Sequence, residues 1–188
     1  MLSDKLKEQT KSNHQQLEKV LVGKLRSIRS KEEYAALLKL FYSYFGGLET
    51  EINKVIDPTL LPDSTERRKT QSLADDLEFL GSTTPEKATG DSLPTLHSHL
   101  QALGALYVIE GSTLGGKIIS KMMQQHLGLN GGGLSFFTSY GDRTEQMWDT
   151  FKETLNYQAT NPEQEAVVIA AANQTFLKFG DWFEKSAT

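Results

Sequence analysis

Tyr34, Leu37, Leu38, Phe41, Tyr42, Phe45, Leu48 and Ile52 recur at spacings of three and four. That rhythm gathers them on one stripe of a helix, which must be buried against another element. The same period runs through nearly the whole chain, and it constrains the fold more than any other feature. Leu2, Leu6, Leu17, Val20 and Leu21 mark a first helix over residues 3–22. Ser30-Lys31-Glu32-Glu33 is a capping box: the Ser hydroxyl takes a free amide at a helix start and Glu33 reaches back. The second helix runs from it until Pro58 and Pro62 close it. A third over 65–80 carries Leu73, Leu77 and Leu80, and Gly81-Ser82-Thr83-Thr84-Pro85 is a loop. A fourth runs from Pro94 to Leu127, and the glycine-rich stretch 128–141 reads as a mobile connection. A fifth covers 142–158. Asn161-Pro162 starts a sixth, with a cap followed by Pro at the first helical position, and it ends near Lys185. No segment alternates apolar and polar residues with β-branched enrichment, so no strand is expected. The expectation is an all-α, single-domain multi-helix bundle over residues 1–188.

Composition narrows what such a bundle can do. The chain has no cysteine, which excludes disulfides, Cys-ligated zinc, iron–sulfur clusters, thiolate-ligated haem and a Cys nucleophile. With 20 Lys+Arg against 24 Asp+Glu it lacks the basic surplus of a general nucleic-acid binder. The first residues turn polar at Ser3, no apolar run approaches the roughly 20 residues that span a bilayer, and a soluble cytoplasmic protein is the default expectation.

Two local patterns stand out. Tyr107-Val108-Ile109-Glu110-Gly111-Ser112-Thr113-Leu114-Gly115-Gly116 puts three glycines inside a helical stretch, at a cost of roughly 2–3 kcal/mol relative to alanine. Gly111 and Gly115 share a face, which lets something flat or bulky touch the backbone, or lets another helix pack closely; spacing alone does not choose. No strand precedes the motif and no Gly-Lys-Ser/Thr ends it, so it is not a phosphate loop. The second pattern centres on His14. Glu18, four residues on, shares its face and can accept the proton of one ring nitrogen, leaving the other for a metal. Lys7 and Lys11 bring two cations beside the ring, suited to a ligand that carries carboxylates. The competing reading is a solvent-facing histidine among charges. His97 and His99 are two apart on a helix and make a poor metal pair; His126 sits near a helix end.

Together these pieces resemble the haem oxygenase family over nearly the whole chain. Leu6-Lys7-Glu8-x-Thr10-Lys11-x-x-His14-x-x-x-Glu18 is similar to the family's proximal helix, Tyr42-x-Tyr44-Phe45-x-x-Leu48-Glu49-x-Glu51-Ile52 to its second helix, and Gly111-Ser112-x-x-Gly115-Gly116 to its distal helix. The resemblance implies that His14 is the axial ligand of haem iron, with Glu18 as the partner of its other ring nitrogen. It implies that Gly111, Ser112, Thr113, Gly115 and Gly116 form the catalytic wall on the far side. Phe176 and Phe183 fall where the family has pocket aromatics; Tyr107 and Lys152 fall where it has propionate contacts, beside Lys7 and Lys11. One departure is Ser112, where animal and some bacterial members carry an Asp that orders water; Ser followed by a polar residue resembles another bacterial branch.

The implied activity is oxidative cleavage of haem, substrate and cofactor together, to biliverdin, carbon monoxide and ferrous iron with oxygen as co-substrate. No flavin or nicotinamide fingerprint is present, so electrons are expected from a reductase or ferredoxin, and a downstream bilin acceptor is conceivable. The alternative is a protein that binds or transfers haem without cleaving it.

Overall fold

A computed structural model describes residues 1–186; the single-domain span read from the sequence extends past it by residues 187 and 188. The described residues are helical with no strand, as the periodicity requires. Nine α-helices follow in order: α1 (Leu2–Gln9), α2 (Lys11–Ser27), α3 (Lys31–Val55), α4 (Gln71–Phe79), α5 (His99–Gly111), α6 (Gly116–Leu127), α7 (Ser135–Thr138), α8 (Thr144–Gln158) and α9 (Pro162–Ser186). Helix α9 is the hub: α1, α2, α3 and α5 all pack on it. The centre is aromatic. Phe41 meets Phe45, Phe136, Phe137, Phe179 and Phe183 edge-on, and Tyr44 stacks on Phe179 at 4.5 Å. The Tyr44 hydroxyl donates to the Thr175 carbonyl, so this large ring is buried with its polar end satisfied.

The Ser30 capping box forms: Glu33 N donates to Ser30 Oγ at 3.1 Å, and the Glu33 carboxylate accepts from the Ser30 amide. Other boundaries shift, each for a visible reason. The first predicted helix divides at Thr10, whose buried hydroxyl donates back to the Leu6 carbonyl at 2.6 Å, a bond that bends helices. Of the predicted third helix only 71–79 is helical. Residues 62–70 turn instead, because Thr70 is drawn to Glu49 and the Arg67 and Arg68 side chains are drawn inward. The fourth starts at His99, not Pro94: Ser98 Oγ accepts from Gln101 N and the Gln101 side chain accepts from the His97 amide. It is then interrupted by a 3-10 turn over Ser112–Gly115.

The stretch 128–141 is not a mobile connection. Gly128 ends α6 in the left-handed conformation (φ 62°), Leu129, Leu134, Phe136 and Phe137 are buried, and the buried Asp76 carboxylate accepts from the Ser135 and Phe136 amides. Gly132 lies so close to the Phe79 ring that a Cβ would sit 2.3 Å from it.

Candidate haem site

His14 lies one turn into α2 and is exposed. Its backbone N–H bonds to the Thr10 carbonyl at 2.9 Å, and its ring leans on buried Phe176 of α9 with centroids 5.4 Å apart. Asn13 beside it donates to Asn173 Oδ1 at 2.8 Å, so α2 is joined to α9 at both residues. Neither ring nitrogen of His14 has a hydrogen-bond partner among the described residues. Glu18 shares the helix, but no hydrogen bond joins it to His14. Lys7 and Lys11 are exposed, and neither forms an ion pair among the described residues.

At the α1–α2 joint the sequence candidates converge. Tyr107 of α5 is buried with its hydroxyl near Thr10, and burial pushes its pKa up. Its ring contacts Trp148 of α8 at 5.3 Å. The Trp148 ring also faces Gly111, where a Cβ would approach it to 3.4 Å, and carries the Lys152 ammonium 5.8 Å from its centroid. Lys152 pairs with Asp149 at 3.0 Å. Tyr107, Gly111 and Lys152 are therefore neighbours through Trp148, a residue the sequence reading did not single out. Phe183 is not with them: it is fully buried in the aromatic core, with Lys24 5.8 Å from its ring.

The three glycines have different surroundings. Gly116 is a packing glycine, since a Cβ there would fall 1.9 Å from the Phe137 carbonyl oxygen of α7. Gly115 faces open space, with nothing within 4 Å of a Cβ, and Gly111 has only the Trp148 ring beside it. The turn thus has a closed back and an open front. Ser112 Oγ donates to the Ile109 carbonyl at 2.6 Å and Thr113 Oγ1 to the Glu110 carbonyl at 2.6 Å.

Behind the turn lies a polar network absent from the sequence reading. Glu110 is 2% exposed and accepts from Arg67 Nη1 at 3.0 Å and from the Tyr140 hydroxyl at 2.9 Å. Arg67 also binds Asp63 and the Met147 carbonyl; burial works against its charge, and the two carboxylates outweigh that and raise its pKa. Burial first, then Glu110, pushes the Tyr140 phenol up to about 12. The available signal was Glu110 itself, a carboxylate closing the apolar run Leu106-Tyr107-Val108-Ile109; such a group is kept charged in a core only by a partner.

A flat, apolar dicarboxylate with a metal at its centre fits this donor set. The imidazole offers an unbonded nitrogen, the adjacent lysines are unpaired, and the glycine front would admit a ring against backbone. The sequence model of the family described as "Heme oxygenase" matches residues 1–185. The chain belongs to the haem oxygenase family. It is 29% identical to heme oxygenase PigA of Pseudomonas aeruginosa over 185 residues, 98% of this chain and 92% of that one. It is 26% identical to a heme oxygenase of Xanthomonas campestris over 148 residues, covering 79% and 87%. Among solved structures, the NO- and CO-bound heme oxygenase of Neisseria meningitidis superposes with a TM-score of 0.78 at 26% identity, over 99% of this chain and 92% of that one. The Leptospira interrogans enzyme, at 21% identity and a TM-score of 0.79 over 98% of both chains, shares the fold. As a haem oxygenase the chain is an enzyme, and no helix among the described residues is long and apolar enough to cross a membrane.

Proposed function

We propose that this haem oxygenase holds its substrate between α2 and the Ser112–Gly115 turn, with His14 bound to the iron. The observation that carries the reading is the His14 ring: oriented by Phe176, exposed, and with both nitrogens unbonded. Without cysteine the protein cannot offer a thiolate, and a neutral imidazole pushes electron density to iron less. Bound haem, with oxygen and external electrons, supplies the redox chemistry that opens its own ring to biliverdin, carbon monoxide and ferrous iron.

The chain orients and encloses. Glu18, one turn from His14, accepts the proton of the ring nitrogen that does not bind iron, which fixes the tautomer. Lys7 and Lys11 meet the propionates as charges, Tyr107 as a hydroxyl donor, and Lys152 through a change of partner from Asp149. Phe176 supplies apolar surface on the α9 side, while Phe183, fully buried in the aromatic core, backs that helix from within. On the far face, Gly111 and Gly115 let backbone approach where a side chain would block, while the Ser112 and Thr113 hydroxyls close on the Ile109 and Glu110 carbonyls and set the shape of the turn. Gly116 sets the depth of the turn by its contact with α7. The electron donor is of reductase or ferredoxin type, the location cytoplasmic, and a bilin-accepting protein stands downstream.

The test is aerobic reduction of the one-to-one hemin complex with chromatographic identification of the product. Conversion to a bilin is expected. A haem spectrum that persists unchanged overturns the reading in favour of binding alone.

A further inference from the structure

The glycine turn ought to be soft. A 3-10 segment has poorer hydrogen bonds than an α-helix, and glycine adds conformational freedom. Yet its front must hold one position if a ring is to be attacked at a defined carbon. What restrains it lies behind, and most of it is one side chain. Arg68 Nη2 donates to the Ile109 carbonyl at 2.8 Å and to Ser112 Oγ at 2.7 Å; Nη1 donates to the Phe136 carbonyl at 3.1 Å and to Ser139 Oγ at 3.2 Å. The guanidinium carbon sits 3.8 Å from the centroid of the Phe136 ring. One planar group therefore ties the end of α5, the turn and α7 together, which the single point charge of a lysine would not do. Arg68 is partly exposed as a residue, but its Nε is sealed from solvent without a partner, and burial pulls its pKa down to about 10. The backbone amide of Arg68 also donates to the Tyr140 hydroxyl at 2.8 Å, which links it to Glu110.

The same contacts decide what Ser112 can offer. A hydroxyl has one hydrogen and two lone pairs. Ser112 gives its hydrogen to Ile109 and one lone pair to Arg68, so a single lone pair remains. Thr113 gives its hydrogen to Glu110. In this arrangement neither hydroxyl has a hydrogen to give to anything in front of the turn.

We propose that Arg68 is a positioning residue for haem cleavage: it holds the turn from behind and ties the Ser112 hydroxyl to the end of α5, so that the front of the turn keeps one position against the substrate and the oxygen that attacks it. This rests on the reading that the front of the turn faces haem. Oxygen that is misplaced or wrongly protonated leaves as hydrogen peroxide, after taking two electrons from the external donor and two protons from water.

Arg68→Met, Arg68→Lys and Ser112→Ala would be compared with wild type in two ways. Hydrogen exchange on the apo-protein is expected to speed about tenfold or more at residues 112–116 in Arg68→Met, with α9 unchanged. In the one-to-one hemin complexes, bilin formed per oxygen consumed should fall at least about fivefold in Arg68→Met, with the balance recovered as hydrogen peroxide. Arg68→Lys should restore less than half of that yield, and Ser112→Ala should lower it less than Arg68→Met does. Wild-type exchange and yield in Arg68→Met overturn the proposal, as does acceleration spread equally over α9, the mark of a merely structural role. If Arg68→Met fails to fold, an unchanged yield in Ser112→Ala overturns it. Failure of the wild type to form bilin would instead overturn the functional reading, and the exchange result on the apo-protein would still stand.

Discussion

Helix α2 and the glycine turn, the two walls proposed for the haem, are held differently by the fold. Of the 17 residues of α2 only Leu17 and Leu25 are buried, so it rests on α9 along a single stripe. In α5, which delivers the chain to the turn, eight of 13 residues are buried, and the turn is anchored behind by Arg67, Arg68 and α7. The side that carries His14 is therefore compliant and the side of the glycine turn rigid. That division suits a substrate that must enter past one wall and be attacked in register with the other.

The strongest way to break this contrast is to remove the charge beneath the rigid side. Glu110→Ala leaves Arg67 without its most deeply buried partner, and a loss of about 3–5 kcal/mol of stability is expected in chemical denaturation. A loss below 1 kcal/mol would mean that the turn does not depend on its buried charges. On the compliant side, His14→Ala should leave the apo-protein's stability within about 0.5 kcal/mol, because the ring is exposed. The same change should abolish the histidine-type spectrum of the hemin complex and weaken hemin binding at least about 100-fold, or about 2.7 kcal/mol. An unchanged spectrum with bilin still formed would assign the iron to another residue.

The two adjacent glycines sharpen the contrast to a single step along the chain. Gly116→Ala drives a methyl into the Phe137 carbonyl and should cost about 1–3 kcal/mol in the apo-protein. Gly115 has helical dihedrals (φ −84°, ψ −10°) and open space, so Gly115→Ala should be neutral or stabilising by up to about 1 kcal/mol. Gly115→Leu, equally harmless to folding, should block hemin cleavage. Equal turnover of Gly115→Leu and wild type would take the front of the turn out of the site.

How much of this was legible in the sequence follows from the range of each interaction. The Ser30–Glu33 box and the Asn161-Pro162 start were readable because capping is settled within four residues. Gln101, three residues after Ser98, carries the same signal for the start of α5, and Pro94 upstream competes with it. His14 and the glycines stand out in the sequence because spacing along a helix fixes which residues share a face. Trp148, Arg67 and Arg68 do not, because the partners that tie them to the turn, Gly111, Glu110 and Ile109, lie 37 to 43 positions away and no local pattern announces them. Nor could spacing separate Gly115 from Gly116: the difference is the carbonyl of Phe137, set by how α7 docks.

The smallest expected effect concerns the pH limits of the rigid side. The Tyr140 phenol stays neutral up to about pH 12 against an ordinary value near 10, so the fold favours its protonated form. Its contribution is intact below pH 10 and is lost as pH climbs through 12, because the unfolded chain ionises first. Arg68 acts in the opposite sense. Its pKa is lowered to about 10, so the cost of burying its charge is present below pH 10 and is relieved above it. Between pH 10 and 12 the two oppose each other, and deleting the phenol leaves only the relief. Tyr140→Phe should therefore begin less stable near pH 8, by about 1 kcal/mol for the lost bond to Glu110, yet lose less than wild type between pH 10 and 12. Urea midpoints at pH 8, 10 and 12 would show it. Parallel loss in both proteins would place the alkaline weakness outside the network behind the turn and remove one support for its rigidity.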